Sequence, residues 1–223
     1  MLIDTHLHTC EYSDDSFLSI TEAVARAREL GLEGLCVTDH DTLGAKAVIA
    51  EWRRRFSFPL FLGAEVLTTA GDFIVFGLDE LPREKVSPEA LIKLVRAAKG
   101  AIVAAHPYRN NGRGAGDLIS TLPQLDGVES FNGSTSALAN LKAFEKATQR
   151  GLAVLGAGDA HSRERVGLFA TEFRCEPQNE GELAAAIRQR QCRPVAWNGE
   201  CYLSADSWCR DLIQTDKRRS FAA

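Results

Sequence analysis

The chain has 223 residues, 45% of them hydrophobic and 25% charged, which excludes a disordered or collagen-like chain and leaves room for a sizeable core. Its 26 basic and 30 acidic residues give a formal charge of -4, which excludes a broadly basic nucleic-acid-binding surface, though not a local basic patch.

The first element is a strand, Leu2 to His8, with its polar residues at the C-terminal end. After the polar CEYSDDS loop, residues 21–31 place Ala23, Val24, Ala27 and Leu30 on one helical face, with Thr21 as N-cap and Gly31 as stop. LEGLCVTDH reads as a short strand and AKAVIAEWRRRF as a second helix. Residues 59–78 read as a hairpin turning at Ala70-Gly71-Asp72. A helix capped by Ser87, with Pro88 in its first turn, leads into the strand AIVAAHP. The RNNGRGAG loop, a short helix in DLISTLPQL, the strand DGVESFN and a helix over 136–151 come next. The strand LAVLGAGDAH, the strand ATEFR, the helix EGELAAAIRQR, the strand PVAWNG and an amphipathic stretch from Ser204 complete the order, with 217–223 expected to fray.

Strand followed by helix, repeated about seven times, predicts a parallel α/β protein. The length falls a little short of the ~250 residues of an eight-unit barrel, so a barrel of fewer units fits better. No composition break divides the chain, so residues 1–223 are expected to form one domain, with 204–223 a C-terminal helix and tail. The six cysteines contain no CxxC spacing, and Cys36 lies in an apolar run. Position 4 is already an Asp, no basic segment leads an apolar run, and the apolar runs are too short to span a membrane. These features predict free thiols, no secretory signal, no membrane partner and a cytoplasmic location.

The five histidines, His6, His8, His40, His106 and His161, all fall at or just after predicted strand C-termini. That rim is where α/β folds bind ligands. Asp4, Asp39, Asp41, Glu65 and Asp159 fall on the same ends. His6 and His8, two apart in a strand, point to one face in chelating geometry, with Asp4 one step earlier. Imidazole and carboxylate together suit zinc, iron or manganese. A single histidine of this set would be an ordinary turn or cap residue; five on one rim point to a metal site.

Six stretches in order carry a resemblance: DTHLHT (4–9), SDD (13–15), TDHDTLG (38–44), GAEV (63–66), AHPYR (105–109) and GAGDAHS (156–162). Together they resemble the PHP family (polymerase and histidinol phosphatase domain), in the pattern of its smaller phosphatase-like members. The resemblance implies a distorted (β/α)7 barrel with two or three divalent metal ions, zinc, manganese or iron, at the C-terminal rim of its strands, hydrolysing phosphoesters. Position by position it implies that His6, His8, Glu65 and Asp159 hold one metal. Glu65 would bridge to a second that also takes His106, and Asp14, His40 and His161 would hold a third. Asp4 and Asp39 would orient the ligating imidazoles. Trinuclear members carry a further histidine at the end of the strand that here reads GVESFN. This chain has Phe131 and Asn132 there, with Glu129 and Asn132 as the nearest substitutes.

The expected function is hydrolysis of a small phosphate monoester, a nucleotide or sugar phosphate, by a metal-activated hydroxide. Arg109 is a candidate phosphate clamp, Arg163 a second, and Asp159 or His161 a candidate proton shuttle. The alternatives are an exonuclease or oligonucleotide phosphodiesterase, with nucleic acid only as substrate, and a non-catalytic metal-binding module. Against the nuclease, the basic runs at 53–55 and 217–219 are short, and no aromatic stripe offers a stacking platform. Oligomeric state is left open.

Overall fold

The computed structural model describes residues 1–221. In chain order its elements are β1 (Leu2–Leu7), α1 (Ile20–Glu29), β2 (Gly34–Val37), α2 (Ile49–Phe56), β3 (Leu60–Thr68), β4 (Gly71–Phe76), α3 (Pro88–Ala97), β5 (Ala101–Ala104), β6 (Gly127–Asn132), α4 (Ala137–Gln149), β7 (Ala153–Ala157), β8 (Phe169–Phe173), α5 (Glu180–Arg188), β9 (Cys192–Trp197), β10 (Tyr202–Ser204) and α6 (Ala205–Phe221). The expected helix over 45–56 splits into a 3-10 turn, Gly44–Ala47, and α2, and the short helix after the RNNGRGAG loop is a 3-10 turn, Gly116–Ser120. The short strand β10 was not anticipated. Helix α6 takes in the first five of the seven residues expected to fray; the last two, 222–223, lie outside the described residues.

Local chemistry accounts for the helix ends. Ser19, not Thr21, caps α1: its hydroxyl accepts from Glu22 N and the Glu22 side chain returns to the Ser19 backbone, a reciprocal capping box. The motif starts two residues before the apolar face, which is why reading from that face misplaced the cap. Gly31 follows the last turn at φ 72°, as a stop residue should. Ser87 caps α3 as expected.

The ten strands form one sheet in the order β10-β9-β8-β1-β2-β3-β4-β5-β6-β7. It is mixed rather than parallel: β1-β2-β3 and β5-β6-β7 are parallel, while β4 lies antiparallel between β3 and β5, and β8 lies antiparallel to both β1 and β9. The hairpin β3–β4 reverses the chain with no crossover helix, so one parallel unit is lost there. The sheet curls into a distorted barrel in which β7 returns to β1 and β8. Gly156 N donates to Thr171 Oγ1 at 3.0 Å, and that hydroxyl donates back to Gly156 O at 2.8 Å. A Cβ at Gly156 would stand 2.8 Å from the Ala170 carbonyl oxygen, so this approach needs glycine. Further up, His8 N donates to Ala160 O at 2.9 Å.

Ile3, Cys36, Phe61, Phe76, Val103 and Leu155 pack with Leu183 and Ile187 of α5 in one buried cluster. The outward face of β1 and β2 packs against α1 and α2 through Leu7, Leu35, Val24, Ala27 and Trp52. Apolar clusters therefore cover both faces of the sheet, while buried polar residues gather at the strand C-termini. No described helix is long and apolar enough to cross a membrane.

A candidate metal centre at the strand ends

Strand and loop geometry at the rim is specialised. His106, Asp159 and Asp41, all non-glycine, adopt φ of 28°, 49° and 51°. Such conformations cost of order 1–3 kcal/mol each and persist where surrounding structure enforces them. They turn the chain sharply just beyond β5, β7 and β2, directing their neighbours into the barrel mouth.

Four atoms converge there. His6 Nε2 and His8 Nε2 face each other at 2.9 Å. Glu65 Oε2 lies 3.6 Å from each of them, and Asp159 Oδ1 lies 3.5 Å from His6 and 3.3 Å from His8. All four residues are buried. Donors at bond lengths of ~2.0–2.2 Å around a tetrahedral ion stand ~3.3–3.6 Å from one another, so the carboxylate–imidazole spacings of 3.3 to 3.6 Å fit a divalent cation at their centre. Two buried imidazole nitrogens pointing at one spot can share only one proton. The donor set is thus suited to a metal.

The electrostatics agree. Burial opposes a charged His6, but Asp159, Glu129 and Glu65 outweigh it and hold its pKa well above the ordinary value. Burial dominates at His8 and pushes it down to about 4. Burial would raise Glu65 and Asp159, but His6 and the hydrogen bonds around them hold both well below the usual carboxylate range.

A second group lies nearer the surface. The His8 ring packs against those of His40 and His161, with centroids 4.1 Å and 4.2 Å away, and those two rings lie 5.7 Å from each other. Asp15 Oδ2 lies 3.2 Å from His40 Nε2 and 3.5 Å from His161 Nε2. His40 Nδ1 lies 2.8 Å from Glu65 Oε2. Asp15, not Asp14, therefore meets these histidines, while Asp14 is exposed and makes no contact with them. The two are adjacent in SDD, and only the turn of the loop chooses between them. That turn is set by Ser16, whose hydroxyl donates to His8 O at 2.7 Å, and by Phe17 N, which donates to His161 O at 3.0 Å.

Three further sequence expectations are corrected. Asp4 does not orient an imidazole: it accepts backbone N–H groups from Gly158 at 2.9 Å, Gly167 at 2.8 Å and His6 at 3.3 Å. A register irregularity in β1 between Asp4 and Leu7 breaks the alternation that would align Asp4 with His6 and His8. Burial, only partly offset by these bonds, raises Asp4 to about 7. Asp39 likewise braces a loop, accepting from Thr9 N at 2.6 Å and from Ser13 Oγ at 2.8 Å. Arg163 turns away from the site and donates to Glu29 at 2.5 Å and 2.6 Å.

Glu129 does what was expected of Asp4: His6 Nδ1 donates to its Oε1 at 2.8 Å, which leaves Nε2 to face the centre. Its other oxygen accepts His106 N at 2.8 Å and Asn132 Nδ2 at 3.0 Å. His106 Nε2 donates to Glu65 Oε1 at 2.7 Å. Arg109 reaches the site as expected, donating to Asp159 Oδ2 and, at 2.6 Å, to Asn132 Oδ1. Asp72 and Arg113 were missed. Asp72 reads as a hairpin-turn residue and Arg113 as part of a mobile glycine-rich loop, yet they form a bidentate pair at 2.6 Å and 3.0 Å beside Glu65 and His106. Their only sequence signal was opposite charge on two loops at one end of the barrel.

The comparisons with known proteins agree with this construction. Residues 4–101 match the model of the PHP domain and residues 137–192 that of the PHP-associated region. An uncharacterised protein of Methanocaldococcus jannaschii is 32% identical over 142 residues, 59% of this chain and 82% of that relative. A candidate metal-dependent phosphoesterase from Bifidobacterium adolescentis superposes with a TM-score of 0.63 at 17% identity, over 84% of this chain and 96% of that one. An amidohydrolase from Chromobacterium violaceum, with bound sulfate and no metal, does so with a TM-score of 0.62 at 20% identity, over the same shares of 84% and 96%. Those two likenesses are of fold; the matched family models, laid over the rim residues described above, show that the chain belongs to the PHP family of metal-dependent hydrolases.

Proposed function

We propose that this protein hydrolyses a small phosphate monoester, a nucleotide or sugar phosphate, using divalent metal ions. The observation that carries the reading is the convergence of four buried donor atoms on one spot with a fixed guanidinium, Arg109, beside them. His6, His8, Glu65 Oε2 and Asp159 Oδ1 would hold one ion, and His40, His161 and Asp15 a second. Ions there would neutralise phosphoryl oxygens and lower the pKa of water toward ~7. Zinc, manganese and iron all suit imidazole and carboxylate ligands.

Arg109 is pre-oriented by Asp159, Asn132 and, at 3.4 Å, Thr135 Oγ1, so its remaining N–H groups are placed to bind a phosphoryl oxygen at little ordering cost. Neither candidate proton shuttle is free for that role with the ions held: Asp159 is buried, held ionised and a ligand of the first ion, and His161 Nε2 faces the donors of the second. The cavity is about 110 Å³ and lined almost wholly by charged and polar side chains, which suits a compact anion. Of the 53–55 basic run, Arg53 is spent on Glu180 and on Leu60 O, which leaves two exposed arginines, too few for a nucleic-acid track. The candidate phosphoesterase and the sulfate-holding neighbour are consistent with an anionic substrate. Six unpaired cysteines fit a cytoplasmic location.

The test is turnover of a panel of mononucleotides, sugar phosphates and short oligonucleotides after loading with manganese, zinc or iron. Mononucleotide or sugar-phosphate hydrolysis that disappears in His8→Ala is the expected result. Cleavage of oligonucleotides alone would make the protein a nuclease, and metal binding without any turnover would make it a non-catalytic module.

The charge state of His6 gives a separate expectation. In the metal-free protein its raised pKa keeps a proton that an incoming ion must displace, since a ligand imidazole is neutral. Ion binding at pH 7 is expected to release roughly one proton per His6 site, and affinity to climb about tenfold per pH unit until that pKa is passed. Calorimetric titrations in two buffers of different ionisation enthalpy measure this directly. Zero proton release would remove His6 from the ligand set.

A further inference from the structure

A third set of donors converges on the same cavity: Glu65, Asp72 and His106 are buried and carry ligand atoms within 4.8 Å of one another. In composition it is a cation site like the other two, but its hydrogen bonds are already committed. Asp72 gives Oδ2 to Arg113 Nε at 2.6 Å and Oδ1 to Arg113 Nη2 at 3.0 Å. Asp159 Oδ2, 4.0 Å from His106 Nε2, accepts from Arg109 and, at 3.1 Å, from Asn132 Nδ2. Asn132 Oδ1 accepts from Arg109 at 2.6 Å, Ser134 N at 2.8 Å and Thr135 Oγ1 at 3.1 Å, so it has no lone pair left. Both Glu129 oxygens are spent on His6, His106 N and Asn132. Only Glu65 Oε1 and His106 Nε2 remain, bonded to each other at 2.7 Å. Two donors do not make a tight divalent site, which takes three or four protein ligands.

The contrast with the His6/His8 set is one of charge. There no guanidinium approaches the four converging atoms except through the far oxygen of Asp159. At the third cluster Arg113 engages Asp72 itself, and Arg109 holds Asp159 Oδ2, the neighbouring carboxylate oxygen 4.0 Å from His106 Nε2. A guanidinium keeps its charge at any physiological pH and matches a carboxylate bidentately. It is tied to the chain and cannot be lost by chelation.

We propose that Arg109 and Arg113 take the place of a metal ion at the Glu65/Asp72/His106 cluster, so that the loaded protein carries two divalent ions and not three. Both arginines line the cavity. Among the described residues neither Nη1 has a protein hydrogen-bond partner, so each is free to bind a substrate phosphoryl oxygen, as an ion in that position would. His106 then serves to position Glu65 rather than as a metal ligand. The count rests on the ligand reading given above, and the test separates the two.

Equilibrium dialysis against Mn²⁺ followed by elemental analysis reads ions per chain without any assay of turnover. Two are expected in the wild type, two in His106→Ala, and three in the Arg109→Met/Arg113→Met double variant, where freed carboxylates complete the third site. Circular dichroism confirms that each variant is folded, and the wild-type count needs no variant. Three ions in the wild type, or a loss of one ion in His106→Ala, would overturn this inference while leaving the metal-dependent reading intact. A folded double variant that still binds two would overturn it as well, by showing that the arginines are not what keeps the cluster metal-free. No ion bound at all would sink the ligand reading itself, and this inference with it.

Discussion

Glu65→Gln is expected to cut phosphoester turnover by about 10³-fold or more, roughly 4 kcal/mol of barrier, and to lower metal content in parallel. Glu65 is in contact with four of the five histidines. Its Oε2 lies 3.6 Å from His6 and His8 and 2.8 Å from His40, and its Oε1 lies 2.7 Å from His106. A glutamine keeps the shape but removes the charge and turns an N–H₂ toward one set of imidazole nitrogens. Stability should follow the same residue. A carboxylate held below its usual pKa stabilises the fold at neutral pH and loses that contribution progressively as pH falls below its ordinary value near 4.5 and through its lower folded value. The stability gap between wild type and variant, read by chemical denaturation of the metal-free proteins, should therefore close in acid. Normal turnover and metal content in the variant would show that Glu65 is not a ligand.

Gly158→Ala is expected to be strongly damaging for so small a substitution. A Cβ at this position would overlap the carbonyl oxygen of Arg165 and stand 2.7 Å from Asp4 Oδ2. Neither can withdraw. The first is backbone, and the second is held in place by Gly158 N and Gly167 N. Relief requires the β7 end to move away from β1, which carries Asp159 out of the metal centre. Overpacking of this kind costs about 3 kcal/mol, near the top of its usual range, and at ~2–4 °C per kcal/mol for a chain of this size the melting temperature should fall by roughly 6–12 °C. Gly112→Ala is the control, since nothing stands within 4 Å of a Cβ there, although its φ of +72° still carries a modest penalty. Equal melting temperatures for the two variants would mean that β7 closes on β1 without needing the glycine.

Much of this was legible in the residues alone, for identifiable reasons. Helix ends at Gly31 and Ser87 obey local rules that act within one turn, and they were placed correctly. The five histidines and Glu65 were placed correctly because strand C-termini share one end of a barrel regardless of how the strands pair. Pairing was legible only at the β3–β4 hairpin, which was read from the residues. That it and β8 make the sheet mixed was not, because a strand–helix count does not register strand direction. The errors inside the site have the same origin. Choosing Asp15 over Asp14 depends on where Ser16 and Phe17 pin a loop to residues over 140 positions away. Asp4 was misassigned because a one-residue irregularity in β1 is invisible in an alternating pattern. Asp72 and Arg113 pair across 41 residues, between two segments that each look like an ordinary turn.

The placement of the histidines has a spectroscopic consequence. All five belong to the two donor groups or contact Glu65, so none is left elsewhere to contribute background. Imidazole resonances of a histidine-labelled sample would all report on this one site. His8, packed against two rings at 4.1 Å and 4.2 Å, lies in their ring currents, so its carbon-bound protons should resonate apart from the rest. Each ring nitrogen signals its own proton or ion occupancy. Five signals would then follow the loading of the centre ion by ion, with each step assignable to a residue by its own His→Gln variant.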